Sequence, residues 1–312
     1  MSKLKSNPKV SVIMPVYNAK HYLIETLKSI ILQSYTDFEF IIIDDGSSDD
    51  SLLILQEFQK NEPRLKVISR ENKGVGCTLN ELLLLAKGEY IARMDADDIC
   101  HPERLSLQVA FLDSHPDHVM VGGQVDAIDP SGRRLMSLVK AFEHEEIEDA
   151  LLRSDAFSII HPAVMLRTQA LRNIGGYDES LEIAEDTDMF LRLARIGKIA
   201  NLQEKVIDYR MHQGSATHSK RHKARRLTAM IIERELIARG NTGDSSTVTM
   251  LKDDNFMPNE TESDLLEKWA WWAFHGKEFN TFLYYSFKSW RLAPLELRKV
   301  KMLLYALRRQ CV

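Results

Sequence analysis

Three carboxylates, Asp95, Asp97 and Asp98, follow an apolar run at residues 90–92. Burying such a cluster without compensation costs several kcal/mol per charge. Clustered carboxylates commonly bind a hard divalent cation, Mg²⁺ or Mn²⁺, which in turn binds phosphate oxygens. Carboxylates at the carboxyl end of a strand in an open α/β sheet also lie where such sheets bind ligands. An isolated Asp-x-Asp is equally typical of a solvated turn, so the surrounding elements decide between the two.

The elements before this cluster alternate between short apolar runs and helical periodicity. Helices separate four predicted strands, at residues 10–16, 38–43, 65–69 and 90–95. Such near-continuous apolar strands are typical of a parallel, doubly wound sheet. The second strand leads into an acidic, Ser-rich turn at residues 44–50. Because such sheets bind ligands at strand carboxyl ends, this turn and the Asp95 cluster can face one crevice.

The pattern continues less regularly to about residue 212. We predict, in order, a helix from Pro102, a strand at 119–121, an extended segment within 126–140, an acidic helix at 143–153, a strand from His161 to Leu166 and a helix ended by Gly175 and Gly176. Residues 184–188 begin another helix, whose expected buried face is Met189, Leu193 and Ile196. Asp186 lies in its first turn, where the helix dipole favours an ionised carboxylate. A short strand ends at residues 209–212.

The chain changes character after about residue 214. A basic segment at 219–226 begins a helix that reaches Ala238, a polar linker covers about 240–264, and three helices follow, which contain Trp269, Trp271, Trp272 and Trp290. The last helix has an apolar stripe of Leu297, Val300, Leu304 and Leu307. Five cations flank it, Arg298, Lys299, Lys301, Arg308 and Arg309. Two interpretations stay open, which are packing against the rest of the chain or another subunit, and peripheral contact of residues 265–312 with an anionic membrane.

Composition restricts the class of protein. With 44% hydrophobic and 28% charged residues among 312, the chain is typical of a soluble globular protein. A net charge of −4 gives no overall basic field for nucleic acid, and the interleaved Trp and Arg near the C-terminus do not by themselves indicate it. Residues 288–312 nevertheless carry +6, from seven Lys and Arg and one acid, so the preceding 287 residues carry −10.

The three cysteines, Cys77, Cys100 and Cys311, are odd in number and scattered, which indicates a reducing compartment. Cys100 and His101 are adjacent and lack the spacing of a structural zinc site. The sequence shows no membrane-spanning run and no signal-peptide pattern. We therefore expect a cytoplasmic protein, for which any peripheral contact would be with the inner face of the cytoplasmic membrane.

The first βα turn, residues 15–20, excludes two common nucleotide sites. It lacks the Gly-x-Gly-x-x-Gly of dinucleotide-binding folds, and the chain lacks a Gly-Lys-Ser/Thr phosphate loop. A nucleotidyltransferase would need a Gly- and Lys/Arg-rich loop at this position, and the sequence does not provide one. A diphosphate is therefore better held through a metal on Asp95 and Asp97.

Six motifs occur in the order Pro15-Val-Tyr-Asn18, Asp44-Asp-Gly-Ser-Ser48, Asp95-Ala-Asp97, His161-Pro162, Glu185-Asp186 and Tyr209-Arg-x-His212. Together they resemble the family 2 inverting glycosyltransferases, and more narrowly the bacterial members that build lipopolysaccharide, capsule or exopolysaccharide. The resemblance covers residues 8 to about 215. It implies the α/β glycosyltransferase A fold, a Rossmann-like, mostly parallel sheet flanked by helices, with a C-terminal α-helical extension.

The resemblance divides the chain into a catalytic domain at 1–215 and an α-helical region at 216–312. Within the catalytic domain, about 8–100 would bind the nucleotide-sugar and about 101–215 the acceptor. The donor would be contacted by Pro15, Val16, Tyr17, Asn18, Asp44, Asp45, Asn72, Arg93, Asp95 and Ala96. Asp45 can accept a hydrogen bond from uracil N3–H. The ligands of a Mn²⁺ or Mg²⁺ ion would be Asp97, Asp95 and His212. Asp186 would be the general base, and the acceptor side would contain His161 and Glu185.

The implied reaction moves a hexose or N-acetylhexosamine from a UDP-sugar to a saccharide or lipid-linked saccharide. An inverting transfer needs a base for the acceptor hydroxyl and charge stabilisation on the departing diphosphate. The alternative is a nucleotide-sugar-binding, membrane-attached assembly or regulatory subunit without turnover, and a homo-oligomer is compatible with both. Four residues also have a structural interpretation: Asp44 as a turn residue, Asp98 as a helix cap, Arg93 as a cation that neutralises the carboxylates, and Glu185 as an acid at a helix N-terminus.

Overall fold

The computed structural model describes residues 7–212, 221–240, 246–253 and 261–309. In these ranges the chain forms a nine-stranded sheet with helices on both faces and a helical C-terminal part. The strands are β1 (Val10–Val16), β2 (Phe38–Asp44), β3 (Leu65–Ser69), β4 (Tyr90–Arg93), β5 (Ile99–Cys100), β6 (His118–Ile128), β7 (Arg134–Ser137), β8 (Met165–Arg167) and β9 (Lys198–Arg210). The helices are α1 (Leu23–Ile31), α2 (Ser51–Asn61), α3 (Val75–Leu85), α4 (Arg104–Ser114), α5 (His144–Leu152), α6 (Thr168–Asn173), α7 (Glu185–Ala194), α8 (Arg221–Ala238), α9 (Ser246–Lys252), α10 (Glu262–His275), α11 (Phe279–Leu292) and α12 (Leu297–Arg309).

The sheet has the order β3-β2-β1-β4-β8-β6-β9-β5, and β7 pairs with β6. Its first four strands are parallel, as their apolar runs predict. β8 is antiparallel to both β4 and β6, whereas β6 and β9 are parallel. The carboxyl ends of β1, β2 and β4 therefore share one edge, where ligands bind in such sheets. Pro15 is accommodated in β1 because β4 pairs with it only as far as Ile13.

Successive residues of β1 enter two different cores. Val12 and Met14 pack in a cluster with α1, α4 and the C-terminal helices, whereas Ile13 packs in a cluster with α3, α6 and α7. Side chains alternate between the faces of a strand, so a sheet covered on both faces has apolar residues at every position. This is why the first strands appear in the sequence as continuous apolar runs.

Three expectations are wrong in detail. The strand predicted from His161 begins only at Met165, because residues 161–163 form a 3₁₀ turn. Ile196 is 50% exposed instead of buried, because α7 ends at Ala194. The strand that ends in the Tyr209 motif is 13 residues long rather than short, because it pairs along most of β6.

The polar linker predicted at 240–264 is also partly wrong, since it contains α9. Val248 and Leu251 of α9 are buried against Ala229 and Ile232 of α8. These four apolar residues form a small separate core, which the polar composition of residues 240–264 does not predict. Outside the described residues lie 219–220, 241–245, 254–260 and Cys311, so the predictions made there are not tested.

The first two of the three final helices pack against the sheet domain. Trp269 and Phe282 belong to the same core cluster as β1. Tyr285 donates a 2.7 Å hydrogen bond to Asp129 in the turn between β6 and β7. Arg134 of β7 forms a 2.9 Å ion pair with Glu278, just before α11. α10 and α11 therefore pack against the rest of the chain.

No helix within the described ranges is both long enough and apolar enough to cross a bilayer.

Gly276 tests this packing, because a Cβ atom there would lie 2.1 Å from the carbonyl oxygen of Leu135. We expect Gly276→Ala to lower the free energy of unfolding by about 1–3 kcal/mol, the usual cost of forcing extra atoms into a packed contact. It should also shift tryptophan emission to longer wavelength, since all four tryptophans lie in α10 and α11. Urea unfolding followed by fluorescence measures both effects.

Lys277→Gly is the matched control, because Lys277 has a φ of 63°, which glycine adopts without strain. This neighbour should keep wild-type stability and emission. Wild-type behaviour of Gly276→Ala would show that α10 does not rest on β7.

Candidate active site

The acidic cluster lies in the loop between β4 and β5. Asp95 and Asp97 are partly exposed, whereas Asp98 is buried, and carboxylate oxygens of the three lie within 4.8 Å of one another. Thr26 of α1 fixes this loop, because its hydroxyl lies 3.1 Å from the carbonyl oxygen of Ala96 and 2.8 Å from that of Asp98. The loop therefore holds three like charges close together and does not let them separate.

The cluster fits a divalent cation with oxygen ligands. Oδ1 of Asp98 accepts a 2.8 Å hydrogen bond from the Arg210 backbone N–H, but its buried Oδ2 has no hydrogen-bond partner among the described residues. Burial and repulsion from Asp97 and Asp95 raise the pKa of Asp98 well above its usual value. A cation among these oxygens would supply the missing partner and offset the repulsion. Asp98 thus joins Asp95 and Asp97, and the structure does not support the interpretation of Asp98 as a helix cap, since the residue before α4 is Glu103.

His212, predicted as a metal ligand, lies with Nε2 2.8 Å from Oδ2 of Asp97. Its ring also packs on Tyr22, the residue before α1, with 5.4 Å between ring centroids. The structure therefore brings His212 to the cluster, where it contacts one carboxylate and orients it. Its role as a direct ligand stays a prediction.

Arg210, at the end of β9, connects the acidic loop to two other segments. Its Nε donates to the carbonyl oxygen of Asp97 at 2.8 Å, and Nη2 pairs with Glu25 of α1 at 2.7 Å. Nη1 donates to the carbonyl oxygens of Asp129 and Pro130 at 3.4 and 3.3 Å. The sequence motif contains this residue, but sequence reasoning gave it no role. The sequence did offer one indication, because Arg210 is a cation two residues before His212, at the end of a strand that mixes polar and apolar residues.

Arg93 neutralises the other side of the cluster. It is buried, and Nη1 lies 2.5 Å from Oδ2 of Asp95, while Nε has no hydrogen-bond partner among the described residues. Despite this pairing, burial raises the pKa of Asp95, with further contributions from the charges of Asp97 and Asp186. The charge of Asp186 therefore acts on Asp95, as is expected if the predicted base lies near the predicted metal ligands.

Asp186 and Glu185 begin α7, directly after Ala184, which has a left-handed φ of 66°. Oδ1 of Asp186 accepts a 2.7 Å hydrogen bond from the Thr187 backbone N–H. Burial nevertheless raises the pKa of Asp186, and burial together with repulsion from Asp186 raises the pKa of Glu185 to about 7. The expected lowering by the helix dipole is thus outweighed, because removal from water destabilises a carboxylate more than the first helical turn stabilises it.

His161, predicted on the acceptor side, is buried beneath this site. Its Nε2 lies 3.0 Å from the hydroxyl of Tyr177, and its ring meets Phe190 of α7 edge to face. Burial, with a smaller effect of Arg93, lowers the pKa of His161 well below its usual value. A neutral histidine therefore supports the floor of the site without itself reaching solvent.

The turn after β2 is organised by its own carboxylates. Asp44 accepts from the Ser47 backbone at 3.3 Å and from the Ser69 hydroxyl at 2.8 Å, which is the turn role proposed as its structural interpretation. Asp45 pairs with Arg70 and accepts from the backbone N–H groups of Lys73 and Gly74 at 2.8 and 3.1 Å. Sequence reasoning missed Arg70, although a cation one strand away from an acidic turn was a usable signal.

The remaining predicted donor contacts lie along the same edge. Asn18, with a left-handed φ of 51°, accepts from the Ser48 backbone at 2.8 Å and so joins the turns after β1 and β2. The side chain of Asn72 donates to the carbonyl oxygen of Asp45 at 2.8 Å, and the carbonyl oxygen of Val16 accepts from the Asp45 N–H at 2.8 Å. Tyr17 is exposed between these turns.

The sequence matches the family model for glycosyl transferase family 2 over residues 11–175. It is 34% identical over 223 residues to the putative glycosyltransferase EpsE of Bacillus subtilis (strain 168), covering 70% of this chain and 78% of that protein. A chondroitin synthase from Escherichia coli is 32% identical over 220 residues, which cover 70% of this chain and 31% of that enzyme. The crystal structure of S. aureus TarS 1-349 in complex with UDP-GlcNAc aligns at 22% identity with a TM-score of 0.59, over 96% of this chain and 79% of that one. The likeness confirms the predicted glycosyltransferase A fold.

We expect Arg210→Lys to lower the free energy of unfolding by about 2 kcal/mol, because lysine cannot replace a guanidinium that reaches three segments at once. Urea unfolding in the presence of a chelator measures this loss. Glu25→Gln is the control, since it removes only the exposed partner and should cost less than about 1 kcal/mol. Equal stability of Arg210→Lys and wild type would contradict the role of Arg210.

Glu185→Gln should weaken the pH dependence of stability. The folded-state pKa is raised to about 7 from 4.5, so folded wild type binds an extra proton between these values and loses stability as pH rises through them. The variant lacks this loss, and the difference in unfolding free energy between pH 5 and pH 8 should shrink by about 2–3 kcal/mol. Urea titrations at both pH values, with chelator present, test this.

Glu57→Gln, which changes an exposed residue on α2, is the control. Its free energy of unfolding should keep the wild-type pH dependence. An unchanged pH dependence in Glu185→Gln would show that Glu185 is not the group that binds this proton.

Proposed function

The chain belongs to glycosyl transferase family 2, and we propose that it transfers a hexose or N-acetylhexosamine, with inversion, from a UDP-sugar to a saccharide or lipid-linked saccharide acceptor in cell-surface polysaccharide synthesis. The main support is that the charge of Asp186 acts on Asp95, one of three clustered carboxylates, as a base beside a cation site would. An inverting displacement needs both in one step.

A Mn²⁺ or Mg²⁺ ion on Asp95, Asp97 and Asp98 would neutralise charge on the departing diphosphate. The residues of the chain would do the rest of the work. Asp186 would take the proton of the attacking hydroxyl, and its raised pKa makes it a stronger base than a solvated carboxylate. Glu185, with a pKa of about 7, would hold a proton near neutral pH and so limit the charge beside Asp186.

A UDP donor is supported by the solved complex of TarS with UDP-GlcNAc. The surroundings of Asp45 are compatible with this. An ionised carboxylate has about four acceptor positions, and Arg70 and the N–H groups of Lys73 and Gly74 use three. One position would therefore be left for the N3–H of uracil, and the exposed ring of Tyr17 lies at the same edge.

Asp186→Asn should leave donor binding nearly unchanged and lower turnover by about 10²–10⁴-fold, the usual contribution of a general base. Asp97→Asn should instead weaken metal-dependent donor binding. Titration calorimetry with UDP and Mn²⁺, together with transfer assays, separates the two effects. Asp149→Asn, an exposed residue on α5, is the control and should bind and turn over as wild type does.

The donor is identified by hydrolysis without acceptor, across UDP-, GDP- and dTDP-sugars, first with Mn²⁺ and then with EDTA. Metal-dependent release of UDP alone is the expected result. Turnover of Asp186→Asn close to wild type would refute the base assignment. Donor binding with no transfer or hydrolysis under any condition would favour the alternative of a binding subunit.

A further inference from the structure

The last helix, α12, shows its apolar stripe to solvent. Leu297, Leu304 and Leu307 are 65%, 51% and 46% exposed, and Val300 between them is partly exposed. These four residues, the outer face of α12, have the i, i+3, i+7 spacing that in most surface helices is turned toward the core. The leucine face of this helix is thus oriented away from the protein.

The inner side of α12 contains a lysine, and this fixes the orientation of the helix. Lys299 is fully buried, and its Nζ lies 2.5 Å from Ser263 Oγ, 3.2 Å from Glu296 and 3.4 Å from Asp264. Met302 and Ala306 are buried on the same side. Rotating the leucines inward would remove the partners of a buried ammonium group, so the exposed leucines follow from a specific polar contact.

Positive charge without carboxylate partners surrounds the outer face. Lys301 and Arg308 are exposed and form no ion pair with any described residue, and the same holds for Lys288 and Arg291 of α11. The acid within 288–312, Glu296, is already paired with Arg298 and Lys299. Lys299 lies on the inner side and Arg298 pairs with Asp264, so the exposed cations without a described carboxylate partner in this segment are Lys288, Arg291, Lys301 and Arg308.

We propose that the outer face of α12 binds the headgroup layer of an anionic bilayer, with its leucines inserted and Lys301 and Arg308 against lipid phosphates. Interfacial helices combine these two features. A second copy of the chain fits less well, because two such faces would bring the same cations together. Nucleic acid would leave the leucines in water. The segment preceding the helix adds two exposed leucines, Leu292 and Leu295.

The proposal limits the membrane contact that the sequence predicts for residues 265–312 to a smaller surface. Trp269, Phe282 and Tyr285 are buried in the protein and cannot contact lipid. Trp271, Phe279 and Phe287 of α10 and α11 are also exposed, and the row of exposed leucines at helical spacing is on α12. Membrane binding is independent of sugar transfer, so the experiment below and those on the donor can fail separately.

The test is sedimentation of the full chain with vesicles of phosphatidylcholine alone or mixed with phosphatidylglycerol. We expect binding to the anionic vesicles that weakens with added salt, and little binding to the neutral ones. Lys301→Gln with Arg308→Gln should weaken binding about 30-fold, or about fivefold for each cation. Leu297→Gln with Leu304→Gln should weaken it about tenfold or more, because both leucines lose their apolar contact.

Two double variants in the catalytic part are matched controls. Lys28→Gln with Lys66→Gln removes exposed cations, and Leu53→Gln with Leu84→Gln removes leucines that are at least as exposed as Leu297 and Leu304. Both should bind vesicles as wild type does, and circular dichroism establishes that every variant is folded. All changed residues are exposed, so unfolding is not expected.

Three outcomes would overturn the proposal. One is absence of binding to anionic vesicles, which would leave an acidic protein as the partner to seek. The second is equal binding by wild type and both α12 double variants. The third is a wild-type dimer in light scattering that Leu297→Gln with Leu304→Gln converts to monomer, which would make the outer face a contact between copies.

Discussion

Asp95, Asp97 and Asp98 repel one another, and much of the surrounding structure holds them together despite that repulsion. Oxygens of three carboxylates lie within 4.8 Å. Arg93 compensates part of this charge from below, and Arg210 and Thr26 hold the loop by its backbone. Burial and this repulsion raise the pKa values of Asp95 and Asp98, and a divalent cation among these oxygens would offset the repulsion.

This constraint extends into the C-terminal part of the chain. The carbonyl oxygens of Asp129 and Pro130 contact Arg210, and the side chain of Asp129 accepts from Tyr285 of α11. The helices beyond the diagnostic motifs therefore help to place the arginine that fixes the acidic loop. We therefore expect that removal of α10 and α11 would disturb the site itself, and the domain boundary near residue 215 stays a prediction.

A similar connection holds the helix of the predicted base. Asp188 of α7 is buried and pairs with Arg192 at 2.5 Å and with Arg234 of α8. Ile231 of α8 belongs to the same core cluster as Met189. The C-terminal helices thus contact the candidate site in two places. Tyr285 acts through the turn between β6 and β7, which contacts Arg210, and Arg234 acts on α7, which contains Asp186.

The sequence by itself determined the first four strands, the order of the motifs and the family, because each depends on short-range patterns of residue type. It also indicated Asp95, Asp97 and Asp186, whose chemistry is evident from neighbouring residues. Tertiary structure alone decided that Asp98 is buried and accepts from the Arg210 backbone, and that the Arg210 side chain fixes the loop, because these contacts join residues more than a hundred positions apart. It also decided that α12 buries Lys299 and exposes its leucines. Periodicity identifies an amphipathic helix, but only the partners of the buried ammonium group determine which side faces the protein.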